Sequence, residues 1–379
     1  MDRRRFFTTT GMGAAAMAAA PGVATAPAQA KSCAGPAAKL PPLKAKLGHE
    51  IGRVSEKSLN YLARYGLESV GASATIADPS RLYPTADEMK ALRDMVEKHG
   101  FHLELTAGPL LPSSNIDRES HPNIMLAHSP ERDREIEAFQ NHIRSCAAAG
   151  VPTLKYNMSI LGVVRSGTVH GRGDTLYNKW NYQEAMQEDL PLTRAGVVNA
   201  EAFWERIDYF LSHVVPVANE YKVRIACHPQ DPGMPQPQGY RGVDRVLGTV
   251  DGLKRFVMMH ESPYHGLNFC QGTVSEDLEN PNAEIGDVVR WFGSRNKIFN
   301  VHFRNIRGHR GDFVAEMFPD EGDVDFVKVL KVYREVGYDR ILMPDHAPRV
   351  PGDPNAIEEN FAFEWGFIRG LIMAEKHIV

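Results

Sequence analysis

The sequence predicts an α/β protein built as a single-domain (β/α)8 (TIM) barrel, and three observations carry that prediction. Eight short apolar runs recur along the chain, stretches long enough for amphipathic helices separate them, and several of those stretches close on glycine. Strands alternating with helices make parallel βαβ units, and eight such units close a sheet on itself. An open doubly wound sheet uses the same alternation, but no G-x-G-x-x-G follows the first run to mark a dinucleotide fold. The 379 residues, 43% of them hydrophobic, are enough for one large core of this kind.

The first thirty residues read as a separate segment. Arg3, Arg4 and Arg5 precede Phe6 and Phe7, an Ala/Gly/Met-rich run follows, and APAQA closes just before Lys31. A basic start, a weakly apolar middle and an A-x-A ending predict a signal peptide over residues 1–30. The arginines ahead of the Phe pair resemble a twin-arginine signal, which predicts export to the periplasm. That route carries folded proteins and hints at a metal chosen before export. Residues 31–46, rich in Pro, Ala and Lys, read as a tether, leaving 47–379 as the barrel domain. Losing residues 1–30 removes three arginines and one aspartate, which moves the formal charge from −4 to −6. With no basic block beyond the N-terminus, nucleic acid is not an expected partner. No window holds the roughly 18 apolar residues of a membrane helix, so the processed chain is not expected in a membrane. A homo-oligomer stays open.

The apolar runs come in the order KLGHEIG (46–52), LESVGAS (67–73), HLELTAG (102–108), VPTLKYNM (151–158), VRIACHP (223–229), GLNFCQG (266–272), IFNVHFRN (298–305) and RILMPDH (340–346). Among the intervening stretches, SEKSLNYLARYG (55–66), TADEMKALRDMVEKHG (85–100), ERDREIEAFQNHIRSCAAAG (131–150) and DFVKVLKVYREVG (325–337) space their apolar residues as helices do. They end on Gly66, Gly100, Gly150 and Gly337, the residue best suited to a helix C-cap. In the last run, Pro344 cannot donate to a sheet ladder, so the strand finishes there and Asp345 and His346 emerge at its exit.

A barrel of this kind carries its active site at the C-terminal ends of its strands. The last four runs end in or near His228, Cys270, His302 and Asp345. A lone strand histidine is usually structural, and a free cysteine usually behaves as a small hydrophobe. Four such residues in equivalent positions on consecutive strands point instead to a metal, and two imidazoles, one thiolate and one carboxylate suit Zn, Fe(II) or Mn(II). Cys227 competes with His228, but alternation sends neighbours to opposite faces. Cys33, Cys146, Cys227 and Cys270 form no C-x-x-C pair, so they read as core or ligand thiols. Arg304 shares a face with His302, where its fork either grips a substrate carboxylate or closes a salt bridge on the barrel rim. Lys155 and Asn157 share a face on the fourth strand, and Tyr156 between them is a further candidate substrate contact.

Assembled in order, these residues resemble the mannonate dehydratase family, metal-dependent (β/α)8 enzymes of the xylose-isomerase-like group. The resemblance spans roughly residues 48–376 and is carried by KYNMSILGVVRS, VRIACHPQDPGMP, FCQGT, VHFRNIR, GDVDF and MPDH. It implies that His228, Cys270, His302 and Asp345 hold Mn2+, with Fe2+ the other candidate. It implies His346 as an acid/base residue, with Arg304 orienting the carboxylate of a sugar acid. The expected reaction is dehydration of D-mannonate to 2-dehydro-3-deoxy-D-gluconate; isomerisation, epimerisation or elimination on another carbohydrate is the alternative. Three departures stand out. The family's second proton-transfer group, a tyrosine, is missing from EENFAFEWGF, which offers Phe361 and Phe363. A histidine is lost at Val314-Ala315-Glu316, and an arginine has become Met343. Lys155 is the candidate replacement base, provided that burial lowers its pKa.

Overall fold

A computed structural model describes residues 40–234 and 239–377. The expected signal peptide (1–30), Cys33 and most of the expected tether lie outside the described residues. Eight parallel strands close into a barrel: β1 (Lys46–Ile51), β2 (Ser69–Ala72), β3 (His102–Ala107), β4 (Thr153–Asn157), β5 (Arg224–His228), β6 (His265–Cys270), β7 (Ile298–His302) and β8 (Ile341–Met343). Each predicted run overlaps one of them, with β6 starting one residue before its run. Neighbours in sequence are neighbours in the sheet, and β8 returns to β1 through Leu47 opposite Leu342.

The outer layer consists of α1 (Glu56–Ala63), α2 (Ala86–Lys98), α3 (Glu131–Ala149), α4 (Ala200–Tyr221), α5 (Val250–Met258), α6 (Pro281–Gly293), α7 (Phe326–Glu335) and α8 (Ala356–His377). Their ends follow local chemistry. Thr85 and Glu88 form a reciprocal capping box at the start of α2, satisfying two backbone N–H groups that the helix leaves unpaired. Gly150 ends α3 in the left-handed conformation at φ 71°, as its place after the helix predicts.

The barrel begins earlier than the expected tether boundary at residue 46. Leu43 and Ala45 are buried. Arg334 of α7 donates to the carbonyl oxygens of Leu40 and Pro41, and Lys46 already opens β1. Alternation then sorts the strands. Leu47 and Leu342 join the large core under the helices, while Leu105, Ile341 and Met343 form a separate apolar plug inside the barrel. Met343 therefore packs in that plug, not against a substrate.

A second, four-stranded antiparallel sheet was not foreseen. Gly167–His170 and Leu176–Asn181 come from the connection after β4, and Ile306–His309 and Asp312–Ala315 from the connection after β7. Both insertions leave from C-terminal strand ends, so the extra sheet belongs to the site side of the barrel. Arg172 and Asp320 clamp the two insertions together at 2.6 Å. Among the described residues, no helix is long and apolar enough to cross a membrane.

Gly48 sits where β1 crowds the plug: a Cβ there would lie 2.7 Å from the Ser69 carbonyl oxygen and run into Ile341. Gly48→Ala should lower unfolding free energy by about 1–3 kcal/mol in urea titrations, the range for overpacking. Gly52→Ala, where a Cβ meets nothing within 4 Å, should change it little.

Candidate metal centre

Four strands deliver four donors to one point. β5 ends on His228, β6 on Cys270 and β7 on His302, and Asp345 follows two residues after the end of β8. The two-residue step through Pro344 keeps Asp345 on the lumenal side that Met343 occupies. Sheet register brings the ends level: Cys270 stands opposite His302, His302 opposite Met343, and His228 opposite Asn157. One donor atom from each of His228, Cys270, His302 and Asp345 lies within 4.8 Å of all the others.

The surroundings aim these donors. His228 Nδ1 donates to the Pro229 carbonyl oxygen at 2.6 Å, which leaves Nε2 as a lone-pair donor. Cys270 Sγ accepts from the Thr273 backbone N–H at 3.5 Å and from its hydroxyl at 3.2 Å. Burial works against ionising this thiol, but the Arg304 guanidinium prevails and brings its pKa down to about 5, so the thiolate, the ligating form, is the stable one. The Asp345 carboxyl is likewise held well below its ordinary range against the effect of burial, by His346, His302 and Arg304. His302 Nδ1 lies 3.0 Å from Asp345 Oδ1 yet lacks hydrogen-bond geometry. Two donors so close, aimed past one another, fit the inner shell of a shared cation. The donor set and its burial suit a divalent transition metal.

Beside this cluster opens a cavity of about 340 Å³, lined by Lys155, Asn157, Ser113, Asp231, His346 and Glu50 together with His228, His302 and Asp345. His346 is half exposed and its Nε2 is 3.5 Å from Asp345 Oδ1, where it faces the cavity next to the four clustered donors. Lys155 reaches in from β4 and its ammonium meets Glu50 Oε2 at 2.6 Å. Neither Glu50 nor Asp231 was assigned a role from the sequence, because each takes its role from partners on other segments, Lys155 for Glu50 and Arg165 and Arg304 for Asp231.

Two expected contacts are corrected. Tyr156 points away from the cavity into the helical layer, where it packs on Phe139 of α3 and Phe210 of α4; the alternation that brings Lys155 and Asn157 inward turns it outward. Arg304 is buried behind the ligands and bonded to Glu276 at 2.7 Å and to Asp231 and Thr273 at 3.0 Å, with Asp345 at 3.5 Å. Its Nη2 arm is engaged by carboxylates of the protein, and the buried guanidinium does not line the cavity, so the rim salt bridge is the reading that the geometry carries. Cys227 is buried on the outer face, beside Tyr156. Phe361 packs on His49, and Phe363 packs on Phe318. The region of the missing tyrosine thus lies on α8, outside the cavity lining. Glu316 accepts from Arg165 at 3.0 Å, and Arg165 also binds Asp231, tying the extra sheet to the cavity wall.

A closed (β/α)8 barrel with a four-donor cluster at its strand ends and a polar cavity beside it defines a metal-dependent barrel enzyme acting on a small polar substrate. Comparison with known proteins narrows the class. Residues 51–194 and 175–377 match the family described as D-mannonate dehydratase (UxuA). Mannonate dehydratase 1 of Halalkalibacterium halodurans is 28% identical over 75% of this chain and 82% of its own length. The mannonate dehydratase of Thermotoga maritima is also 28% identical, over 76% of this chain and 84% of its own. The crystal structure of mannonate dehydratase from Streptococcus suis superimposes with a TM-score of 0.72 at 21% identity, covering 87% of this chain and 95% of that one. A 3-keto-D-glucoside 4-epimerase from E. coli shares the fold more distantly, with a TM-score of 0.53 at 10% identity over 86% of this chain and 100% of that one. The chain belongs to the D-mannonate dehydratase family, and it is a hydro-lyase of the sugar-acid type.

Cys270→Ser removes the soft donor while keeping its size. Metal affinity should fall by more than the ~10–100-fold typical of losing an outer-shell partner, as read by equilibrium dialysis with elemental analysis.

Proposed function

We propose that this protein dehydrates D-mannonate to 2-dehydro-3-deoxy-D-gluconate and water with Mn2+ as its ion, Fe2+ being the alternative. The observation that carries the proposal is the convergence of His228, Cys270, His302 and Asp345 beside one cavity that also holds His346 and Lys155. His228, Cys270, His302 and Asp345 would hold the ion. When bound, it supplies Lewis-acid stabilisation of the negative charge that develops on substrate oxygens.

The remaining chemistry belongs to the chain. His346 faces the cavity, free to move a proton within hydrogen-bond reach. It takes the proton from C2 and returns one to the departing C3 hydroxyl, which leaves as water; the enol that remains becomes the 2-keto acid. One residue serving both steps accounts for an elimination without the family's tyrosine. Lys155, whose ammonium is held by Glu50, anchors the substrate carboxylate in the place that Arg304 does not reach. Asn157 and Ser113 offer amide and hydroxyl groups to the sugar hydroxyls. Export to the periplasm is part of the same proposal and rests on the Arg3–Arg5 and Phe6-Phe7 pattern.

The absent tyrosine also favours a second reading, isomerisation or epimerisation of a related carbohydrate through the same cavity. Product analysis separates the two. Incubation of the metal-loaded protein with D-mannonate should yield the 2-keto-3-deoxy acid, which is detectable by its thiobarbiturate colour. An epimer or ketose without loss of water would select the second reading. EDTA should abolish turnover, and Mn2+ or Fe2+ should restore it. His346→Asn should cut kcat by ~10²–10⁴-fold with metal content unchanged, whereas Lys155→Met should act chiefly on KM.

A further inference from the structure

The cavity contains a carboxylate with two partners of different kinds. Glu50 sits one residue before the end of β1, on the lumenal face that Gly48 also occupies. Its Oε2 accepts from the Lys155 ammonium at 2.6 Å and lies 3.4 Å from His302 Nε2. The opposite ring nitrogen of His302 faces Asp345. The chain leaves room for this side chain: on the neighbouring β2, a Cβ on Gly71 would come within 3.4 Å of Glu50 Cγ and 2.6 Å of Leu105 Cδ1. Glu50 thus reaches over a strand hollowed out beneath it, to a point between a metal ligand and the cation of the substrate cavity.

We propose that Glu50 is a positioning residue that couples the metal centre to the substrate grip, one carboxylate orienting His302 on one side and fixing the Lys155 ammonium on the other. A carboxylate on the outer nitrogen of a ligating imidazole sets its tautomer and ring orientation and raises its basicity. The same carboxylate holds the long, flexible lysine in one place, so that the distance from anchored carboxylate to metal centre is set by a single side chain. Binding of the anionic substrate to Lys155 shares the positive charge that Glu50 neutralises, and metal affinity and substrate affinity become linked through it. The substrate half of this proposal rests on the sugar-acid reading above; the metal half does not.

The test separates the halves. Apo protein is titrated calorimetrically with Mn2+ alone, and the Co2+-loaded protein is examined for the visible thiolate charge-transfer and ligand-field bands. Glu50→Gln should weaken Mn2+ binding by ~10–100-fold and alter the Co2+ bands, while Lys155→Met stays within ~3-fold of wild type with its bands intact. With D-mannonate, both variants should raise KM, and the double variant should raise it by less than the product of the two single effects. If Glu50→Gln is recovered unfolded, Glu50→Asp keeps the charge but withdraws it by one methylene and should show the same two losses. Wild-type Mn2+ affinity and unchanged Co2+ bands in a folded Glu50 variant would overturn the metal half. Independent, multiplying effects on KM would overturn the coupling. A wild-type protein that never turns over D-mannonate, with the metal results as expected, would reject the substrate reading and leave Glu50 as an orienting residue of the metal centre.

Discussion

Closure of the barrel is the constraint from which the site follows. A strand in an open sheet can end anywhere along its neighbour, but in a closed barrel the tilt and stagger of all eight strands are mutually fixed. Once β8 pairs with β1, the ends of β5, β6, β7 and β8 have no freedom to separate, and side chains on their lumenal faces converge. His228, Cys270, His302 and Asp345 come from segments more than a hundred residues apart at the extremes, yet their donor atoms fall within 4.8 Å of one another. No flexible loop has to close for the cluster to form. This is the preorganisation that rigid elements give to a metal site.

Gathering acids and a thiol in so small a volume requires compensating charge. Arg304 supplies it from behind, through Glu276, Asp231 and Asp345, while Arg165 adds a second guanidinium to Asp231. Buried ion networks are weak contributors to net stability, because desolvation offsets much of the attraction. Their effect here is on geometry and protonation state. Arg304 keeps Cys270 in its thiolate range and pins Asp231 to the cavity wall. Buried behind the donors, this guanidinium does not face the cavity. That is why the cation facing the cavity is the lysine of β4 and not the arginine that follows β7.

The extra antiparallel sheet stands on the C-terminal side of the barrel. Its strands arise from the two insertions after β4 and β7, and Arg165 joins it to the cavity through Glu316 and Asp231. Arg172 lies on the Phe318 and Phe363 rings while paired with Asp320, so the two insertions are also fastened to α8. Phe363 of α8 serves this fastening, and Phe361 packs α8 on His49 of β1.

The fold and the four donors that cluster at its rim were legible in the sequence because both depend on short-range regularities. Apolar runs alternating with amphipathic stretches define strands and helices, glycines mark their ends, and the fold places strand-terminal residues at one rim. His228, Cys270, His302 and Asp345 could therefore be named from position alone. The roles of Arg304 and Glu50 could not, whereas the outward turn of Tyr156 was already implied by the alternation that brings Lys155 and Asn157 inward. Arg304 turns on which of several acids it meets, and Glu276, 28 residues away in the chain, decides that. Tyr156 follows the alternation of its own strand, outward between two helices. Glu50 matters only because Lys155, 105 residues away, and His302 arrive beside it when the sheet closes. The sequence by itself determined which side chains reach the rim, since strand periodicity is local. Only the tertiary structure decided which charges meet, since pairing depends on distances between segments that the chain order leaves open.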